Sequence, residues 1–167
     1  MQQSIDISTP DFNNEKRKKE YLVSRLLLKD IAPNTKITYN KYGAPKLENG
    51  EHISISHSKN LVAIIFSKQK VGLDIEKISE KPIRLASKFI TEDVHQNLTE
   101  EKATLIWCVK EAIFKWHQKG NVDFKKDIKI KEFEIMEKGE ISCNFKGEKI
   151  IVKYRKIDNQ YLAYVCM

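Results

Sequence analysis

Two acids spaced two positions apart are the first residues here able to do chemistry. In Val71-Gly72-Leu73-Asp74-Ile75-Glu76 the apolar residues alternate with Gly, Asp and Glu. Alternate residues of a strand share a face. Val71, Leu73 and Ile75 would then point to a core, with Asp74 and Glu76 side by side opposite. Carboxylates that close raise each other's pKa unless a cation sits between them. Oxygen-only donors suit Mg²⁺, which takes one or two protein carboxylates and fills its shell with water and phosphate. Gly72 leaves that face unobstructed. By itself the hexapeptide reads more simply as a solvent-facing strand with two surface acids.

A second stretch is Trp107-Cys108-Val109-Lys110-Glu111-Ala112-Ile113-Phe114-Lys115. On a helix Glu111 and Lys115 share a face, with Trp107 one turn before Glu111 and Lys110 round the side. An ordinary i,i+4 ion pair explains Glu111 and Lys115 alone. A phosphate on that face would change the reading: Glu111 then adds a metal oxygen and Lys115 a phosphate contact. The third stretch, Ile53-Ser54-Ile55-Ser56-His57-Ser58, ends a strand with hydroxyl and imidazole donors. A Ser–His nucleophile pair is disfavoured there. Neighbours on a strand point to opposite faces, and no GxSxG elbow surrounds them. A polar strand end and an anion site fit these residues equally.

The elements that would position these groups follow from periodicity. A helix is expected over Asn14–Asp30, with Leu22, Val23, Leu26 and Leu27 on one face, stopped by Pro33. Its basic run Lys16–Lys19 reads mainly as a solvated face. Strands are expected at Lys36–Asn40, His52–Ser58, Leu61–Ser67 and Val71–Glu76, with turns at Tyr42–Pro45 and Asn49-Gly50. In His52–Ser58, Ile53 and Ile55 take one face and Ser54 and Ser56 the other. The middle is helical. Pro82 opens Ile83–Phe89, Thr91-Glu92-Asp93 caps another segment, and Thr99 starts the longest helix, to about Gln118, which Gly120 ends. Strands Ile128–Ile135, Glu140–Phe145, Lys149–Tyr154 and Tyr161–Cys166 complete the chain. The order predicts an α+β fold of two similar halves, residues 1–80 and 81–167, each a helix on a small antiparallel sheet, packed as one compact unit.

Composition narrows the classes. A chain of 167 residues buries a core without disulfide or metal staples. Leu61–Phe66, its longest apolar run, is too short to span a bilayer. The polar start MQQSIDISTPDF has no signal-peptide pattern. Cys108, Cys143 and Cys166 are odd in number and far apart, which argues against a disulfide framework or zinc site and for a cytoplasmic protein. The net charge of +7 suits an anionic partner without choosing one.

Taken in order and spacing, the three stretches and the Gly43-Ala44-Pro45 turn resemble the phosphopantetheinyl transferase superfamily, in particular its surfactin-type branch. That pattern is a Gly-x-Pro turn, a strand ending Ser-His, Gly-(hydrophobic)-Asp-x-Glu, and Trp-x-x-Lys-Glu-(Ala/Ser)-x-x-Lys. The likeness runs from about Arg17 to the end. It implies transfer of the 4′-phosphopantetheine arm of coenzyme A to a carrier-protein serine, with release of 3′,5′-ADP. It implies Mg²⁺ on Asp74, Glu76 and Glu111, and Lys115 on the phosphate under attack. Ser56 and His57 would grip the nucleotide end of coenzyme A, His57 at the 3′-phosphate. Arg17, Arg25, Lys46 and Lys110 are further expected cofactor contacts. The partner implied is an acidic acyl or peptidyl carrier protein, matching the positive charge.

Two departures from the pattern stand out. Ala44 replaces the usual lysine of the turn, with Lys46 two places on. The branch also normally carries an extra strand before the first helix. Its loss would expose a sheet edge, so a monomer is expected with a dimer as the alternative. Two rival readings remain: a basic nucleic-acid-binding module, for which no RNP, KH or helix-turn-helix signature is seen, and an inactive coenzyme A-binding relative, against which both carboxylate motifs argue. The expectation is an enzyme with neither nucleic acid nor membrane as partner.

Overall fold

The computed structural model describes residues 13–33, 35–91 and 97–167. Helix α1 spans Glu15–Ile31, with Asn14 as N-cap accepting from the Lys16 amide. Strands β1 (Ile37–Tyr39), β2 (Pro45–Leu47), β3 (His52–Ser58) and β4 (Leu61–Ser67) follow, and then β5 (Val71–Lys77). A short helix α2 (Glu80–Arg84) and a 3₁₀ turn (Ala86–Lys88) lead to the long helix α3 (Glu100–His117). Strands β6 (Ile128–Ile130), β7 (Lys138–Phe145), β8 (Glu148–Ile157) and β9 (Gln160–Cys166) close the chain. Both sheets are antiparallel: one of order β1-β2-β3-β4, the other β5-β9-β8-β7-β6. The fold is α+β, as the sequence predicts.

The two sheets have separate cores. Leu28 of α1 packs with Leu47 and Ile53, joined by Ile37, Ile55 and Ile64. The face of α1 differs from the expected one, because Val23 and Leu26 are exposed while Ser24 and Leu28 are buried. The larger core lies between α3 and the five-stranded sheet, with Ile106, Val109, Ile113, Ile128, Ile150 and Tyr161 among its fully buried members. Apolar residues fill nearly every turn of α3, so this helix is buried almost all round.

Strand β5 joins the halves. It precedes α2 in sequence yet pairs with β9, Asp74 opposite Ala163 and Glu76 opposite Tyr161. On its other side lies β3. The Leu73 amide donates to Ser54 Oγ at 2.9 Å and the Ile75 amide to Ser56 Oγ at 3.2 Å. Each step of two along β3 matches a step of two along β5, so the strands run side by side in the same direction. Serine hydroxyls occupy the place of a backbone ladder, and Ser54 and Ser56 are buried rather than solvent-facing.

Several boundaries differ from the expected ones. The Ile128–Ile135 strand is cut to Ile128–Ile130, because β7 offers it partners only from Phe145 to Cys143. Beyond that, Phe133 and Ile135 pack on the core from outside a ladder. Pro82 lies inside the first turn of α2, where a missing amide is tolerated, instead of opening the segment. Helix α3 ends at His117 with Gln118 in the left-handed region, ahead of Gly120. The expected cap at Thr91-Glu92-Asp93 falls largely outside the described residues. No described helix is long and apolar enough to cross a membrane.

Candidate active site

Gly72 determines how the acids of β5 are presented. A Cβ at this position would lie 2.1 Å from Ala112 O and 2.4 Å from Trp116 N. Helix α3 therefore crosses directly over β5 on the face shared by Gly72, Asp74 and Glu76. This overturns the solvent-facing reading of the hexapeptide: Asp74 is only 3% exposed.

Above Asp74 the three motifs meet. Lys115 Nζ donates to Asp74 Oδ1 at 2.8 Å and to Ser56 Oγ at 2.9 Å. Ser56 Oγ in turn donates to Asp74 Oδ1 at 2.7 Å. One hydroxyl from β3, one carboxylate from β5 and one ammonium from α3 form a closed triangle. The ion pair of Lys115 is thus with Asp74, not the i,i+4 pair with Glu111 that helical spacing suggested. Asp74 Oδ2 is buried without a protein partner.

Glu76 and Glu111 flank this triangle. Trp107 Nε1 donates to Glu76 Oε1 at 3.2 Å, and the indole is wedged between Phe89 and Phe124. Burial, and then the charge of Asp74, push Glu111 up to about 7 and Glu76 up to about 6. Both groups sense Lys115, which opposes the rise. Among the described residues no three His, Cys, Asp or Glu side chains stand close enough to enclose a metal ion. The donor chemistry still fits a hard cation. It is all carboxylate, and one buried oxygen is unpartnered.

His57 follows Ser56 and turns toward α1. The main chain of Glu20 lies beside its ring, and its Nε2 is buried without a partner. Burial lowers its pKa, Glu20 acts against this, and Lys115 adds to it. The remaining expected cofactor contacts do not gather here. Lys110 is buried on another side of α3, where Nζ donates to the carbonyls of Phe124 (2.6 Å) and Ile128 (2.5 Å). Its role is to tie α3 to the following loop and β6. Arg25 donates to Tyr39 Oη at 2.8 Å and lies over the Tyr21 ring. Arg17 is exposed near the start of α1. Lys46 is exposed on β2, on the face opposite Pro45 and Leu47.

A cavity of ≈330 Å³ lies beside Lys115, between the 42–45 turn, β3 and the C-terminal end of α3. Gln118 lines it, which no motif indicated. The only signal in the sequence was a long helix whose first residue past the end is not glycine.

Comparison with known proteins supplies a separate line of information. Residues 70–166 match the sequence model of the 4′-phosphopantetheinyl transferase superfamily. The chain is similar to the 4′-phosphopantetheinyl transferase gsp of Aneurinibacillus migulanus, 33% identical over 60% of this chain and 47% of that protein. It is similar to the 4′-phosphopantetheinyl transferase Sfp of Bacillus subtilis (strain 168), 29% identical over 48% of this chain and 40% of that protein. The chain therefore spans about half the length of the curated relatives it matches.

Proposed function

Since this chain belongs to the 4′-phosphopantetheinyl transferase superfamily, we propose that it moves the 4′-phosphopantetheine arm of coenzyme A onto a serine of an acyl or peptidyl carrier protein and releases 3′,5′-ADP. The observation that carries this reading is the Ser56–Asp74–Lys115 triangle. It joins all three chemistry-bearing stretches at one point, beside two further acids, Glu76 and Glu111.

The reaction is a phosphoryl-type transfer. The serine oxygen bonds to the phosphorus that carries the pantetheine arm. The bond from that phosphorus to the 3′,5′-ADP oxygen breaks, and the serine proton leaves. Such transfers depend mainly on alignment and charge neutralisation. Asp74 would hold Mg²⁺ directly through its unpartnered Oδ2. Glu76 and Glu111, which do not close on one point with it in the metal-free chain, would join it by side-chain adjustment or through water, as Mg²⁺ sites with few direct carboxylates allow. When bound, that ion supplies Lewis-acid charge neutralisation at the pyrophosphate. Lys115 then shifts from Asp74 to the phosphate under attack, where its charge stabilises the developing negative charge. Glu111, at the edge of the same acidic cluster, would accept the serine proton. Trp107 fixes one oxygen of Glu76 and leaves the other free.

His57 would bind the 3′-phosphate as the imidazolium through Nε2, a buried nitrogen with no partner in the chain. Ser56 acts by positioning Asp74 and Lys115, because its hydroxyl is already engaged by both. The segments 1–80 and 81–167 work as one unit, since β5 of the first is built into the sheet of the second. The +7 charge suits an acidic carrier and a polyanionic cosubstrate, and we place the protein in the cytoplasm. The test is intact-mass measurement of an apo carrier protein incubated with this chain, coenzyme A and Mg²⁺. A gain of one phosphopantetheine arm supports the proposal. An unchanged carrier mass with several apo carriers overturns it.

A further inference from the structure

We infer that Lys110 is a positioning residue for Glu76: it fixes Phe124, Phe124 walls in the Trp107 indole, and the indole orients the Glu76 carboxylate. The inference rests on the transferase reading, in which Glu76 belongs to the cation site.

Lys110 is an expensive residue to bury, and it is only 4% exposed. An ammonium taken out of water must find hydrogen-bond partners inside the protein. Neither of its partners is a carboxylate. Both are main-chain carbonyls, Phe124 O at 2.6 Å and Ile128 O at 2.5 Å. The charge is therefore used to hold a stretch of backbone in place.

Helical spacing explains which residue is held. Trp107, Lys110 and Phe114 follow one another at three and four positions, so they form one stripe of α3. Phe124 lies across that stripe. Its ring centroid is 5.4 Å from that of Trp107 and 5.6 Å from that of Phe114, and its carbonyl accepts from the lysine between them. The turn that carries Phe124 is itself preformed. Asp123 Oδ1 accepts from the Lys125 and Lys126 amides at 2.9 and 3.0 Å, and Asp127 Oδ2 accepts from the Asp123 amide at 3.0 Å. Lys110 then sets where this ready-made turn lies against the helix.

The consequence reaches the acids through the indole. Phe89 meets Trp107 edge to face at 5.0 Å from one side, and Phe124 closes the other. Held between them, the Trp107 N–H donates to Glu76 Oε1 at 3.2 Å. That length is at the far end of the normal range, so a small displacement of the ring breaks the bond. A Glu76 freed in this way must be ordered at the moment a cation binds, which weakens binding. Outer partners that orient a metal ligand commonly govern about ten- to hundredfold in affinity. Lys110 stands two contacts further out and should govern a smaller share.

The test uses three substitutions. Lys110→Met keeps the length and loses the donors. Phe124→Leu keeps the carbonyl for Lys110 and loses the ring. Trp107→Phe loses the indole donor. The first readout needs neither metal nor substrate: hydrogen exchange of the two indole N–H groups, followed by NMR. Trp107 and Trp116 share one helix, so general loosening of α3 speeds both. Lys110→Met and Phe124→Leu should speed Trp107 by about three- to tenfold, the range for one hydrogen bond, and leave Trp116 near its wild-type rate. The second readout is the Mg²⁺ concentration at half-maximal carrier modification. It should rise about three- to tenfold in both variants with the Michaelis constant for coenzyme A unchanged. In the Trp107→Phe background, Lys110→Met should add no further rise.

Equal acceleration of both indoles, or none at Trp107, overturns the inference. So does a further rise from Lys110→Met in the Trp107→Phe background, because Lys110 would then act by another route. If Lys110→Met does not fold, Phe124→Leu decides by the same comparisons. A wild type that modifies no apo carrier overturns the transferase reading, while the exchange comparison still decides whether Lys110 positions Glu76.

Discussion

Ser56 and Asp74 stand 18 residues apart in sequence and 2.7 Å apart in space, hydroxyl to carboxylate. The same hydroxyl accepts from the Ile75 amide and from Lys115. A single small side chain therefore closes the gap between two sheets and orders the charged pair above it. Replacing it by alanine leaves a strand amide and one acceptor lobe of Asp74 without partners. Ser56→Ala should destabilise the protein by about 1–3 kcal/mol, the cost of buried polar groups left unmade. Urea unfolding of the variant measures this. A loss well under that range would mean water replaces the hydroxyl.

Gly72→Ala should fail more severely. The added methyl meets main-chain atoms of α3, which cannot rotate away as a side chain can. Either α3 lifts off β5 or the strand bends. We expect at least ~3 kcal/mol of destabilisation. Thermal melting followed by circular dichroism reads it, and a variant as stable as wild type would show that α3 sits higher than described.

Glu111 should make the metal-free protein less stable as the solution becomes neutral. Its folded pKa, about 7, lies above the ordinary value of 4.5. Between these values the folded chain keeps a proton that the unfolded chain has released. The unfolded state then binds fewer protons, so stability falls as pH rises through the window and levels off above it. The effect is on the order of a few kcal/mol, and Glu76, raised to about 6, adds in the same direction. Glu111→Gln should remove most of the slope. Urea midpoints for both proteins at about pH 5 and about pH 8, without Mg²⁺, decide it. Parallel slopes would refute the assignment.

His57→Ala should raise the Michaelis constant for coenzyme A by about tenfold or more, the worth of a charge-assisted hydrogen bond. The constant for dephospho-coenzyme A should hardly move, because the partner lost is the 3′-phosphate. Steady-state kinetics with both substrates gives the answer. Equal increases would place His57 elsewhere on the nucleotide.

Asp74→Asn keeps the shape and the hydroxyl contact of Asp74 but removes its charge. Turnover should fall by orders of magnitude while Lys115 loses its ion-pair partner. Removing this acid is therefore not harmless to the fold: the lysine left behind is partly buried, and we expect about 1–3 kcal/mol of destabilisation. Melting temperature and carrier mass gain, measured side by side, separate the two effects.

The sequence by itself determined which side of each element a residue takes. Alternation in Val71–Glu76 put Asp74 and Glu76 on one face, and helical spacing put Trp107, Glu111 and Lys115 on another. The capping Thr99 set the start of α3. These are local properties, fixed by the two-residue and 3.6-residue periods of the backbone. What lies opposite each face is not local, and only the tertiary structure decided it. Alternation put Ser54 and Ser56 on one face of their strand, but only the fold shows that β5 covers that face and uses them as ladder groups. Lys115 matched Glu111 by spacing, but Asp74 arrives from another strand and captures it. Lys110, one residue from the acidic face, turns to the Phe124 and Ile128 carbonyls, because the helix is buried all round and that loop needs a donor. The strand expected at Ile128–Ile135 stops at Ile130, since a strand lasts only as long as its neighbour pairs with it. Periodicity assigns faces; long-range packing assigns partners, and the chemistry of this site depends on the partners.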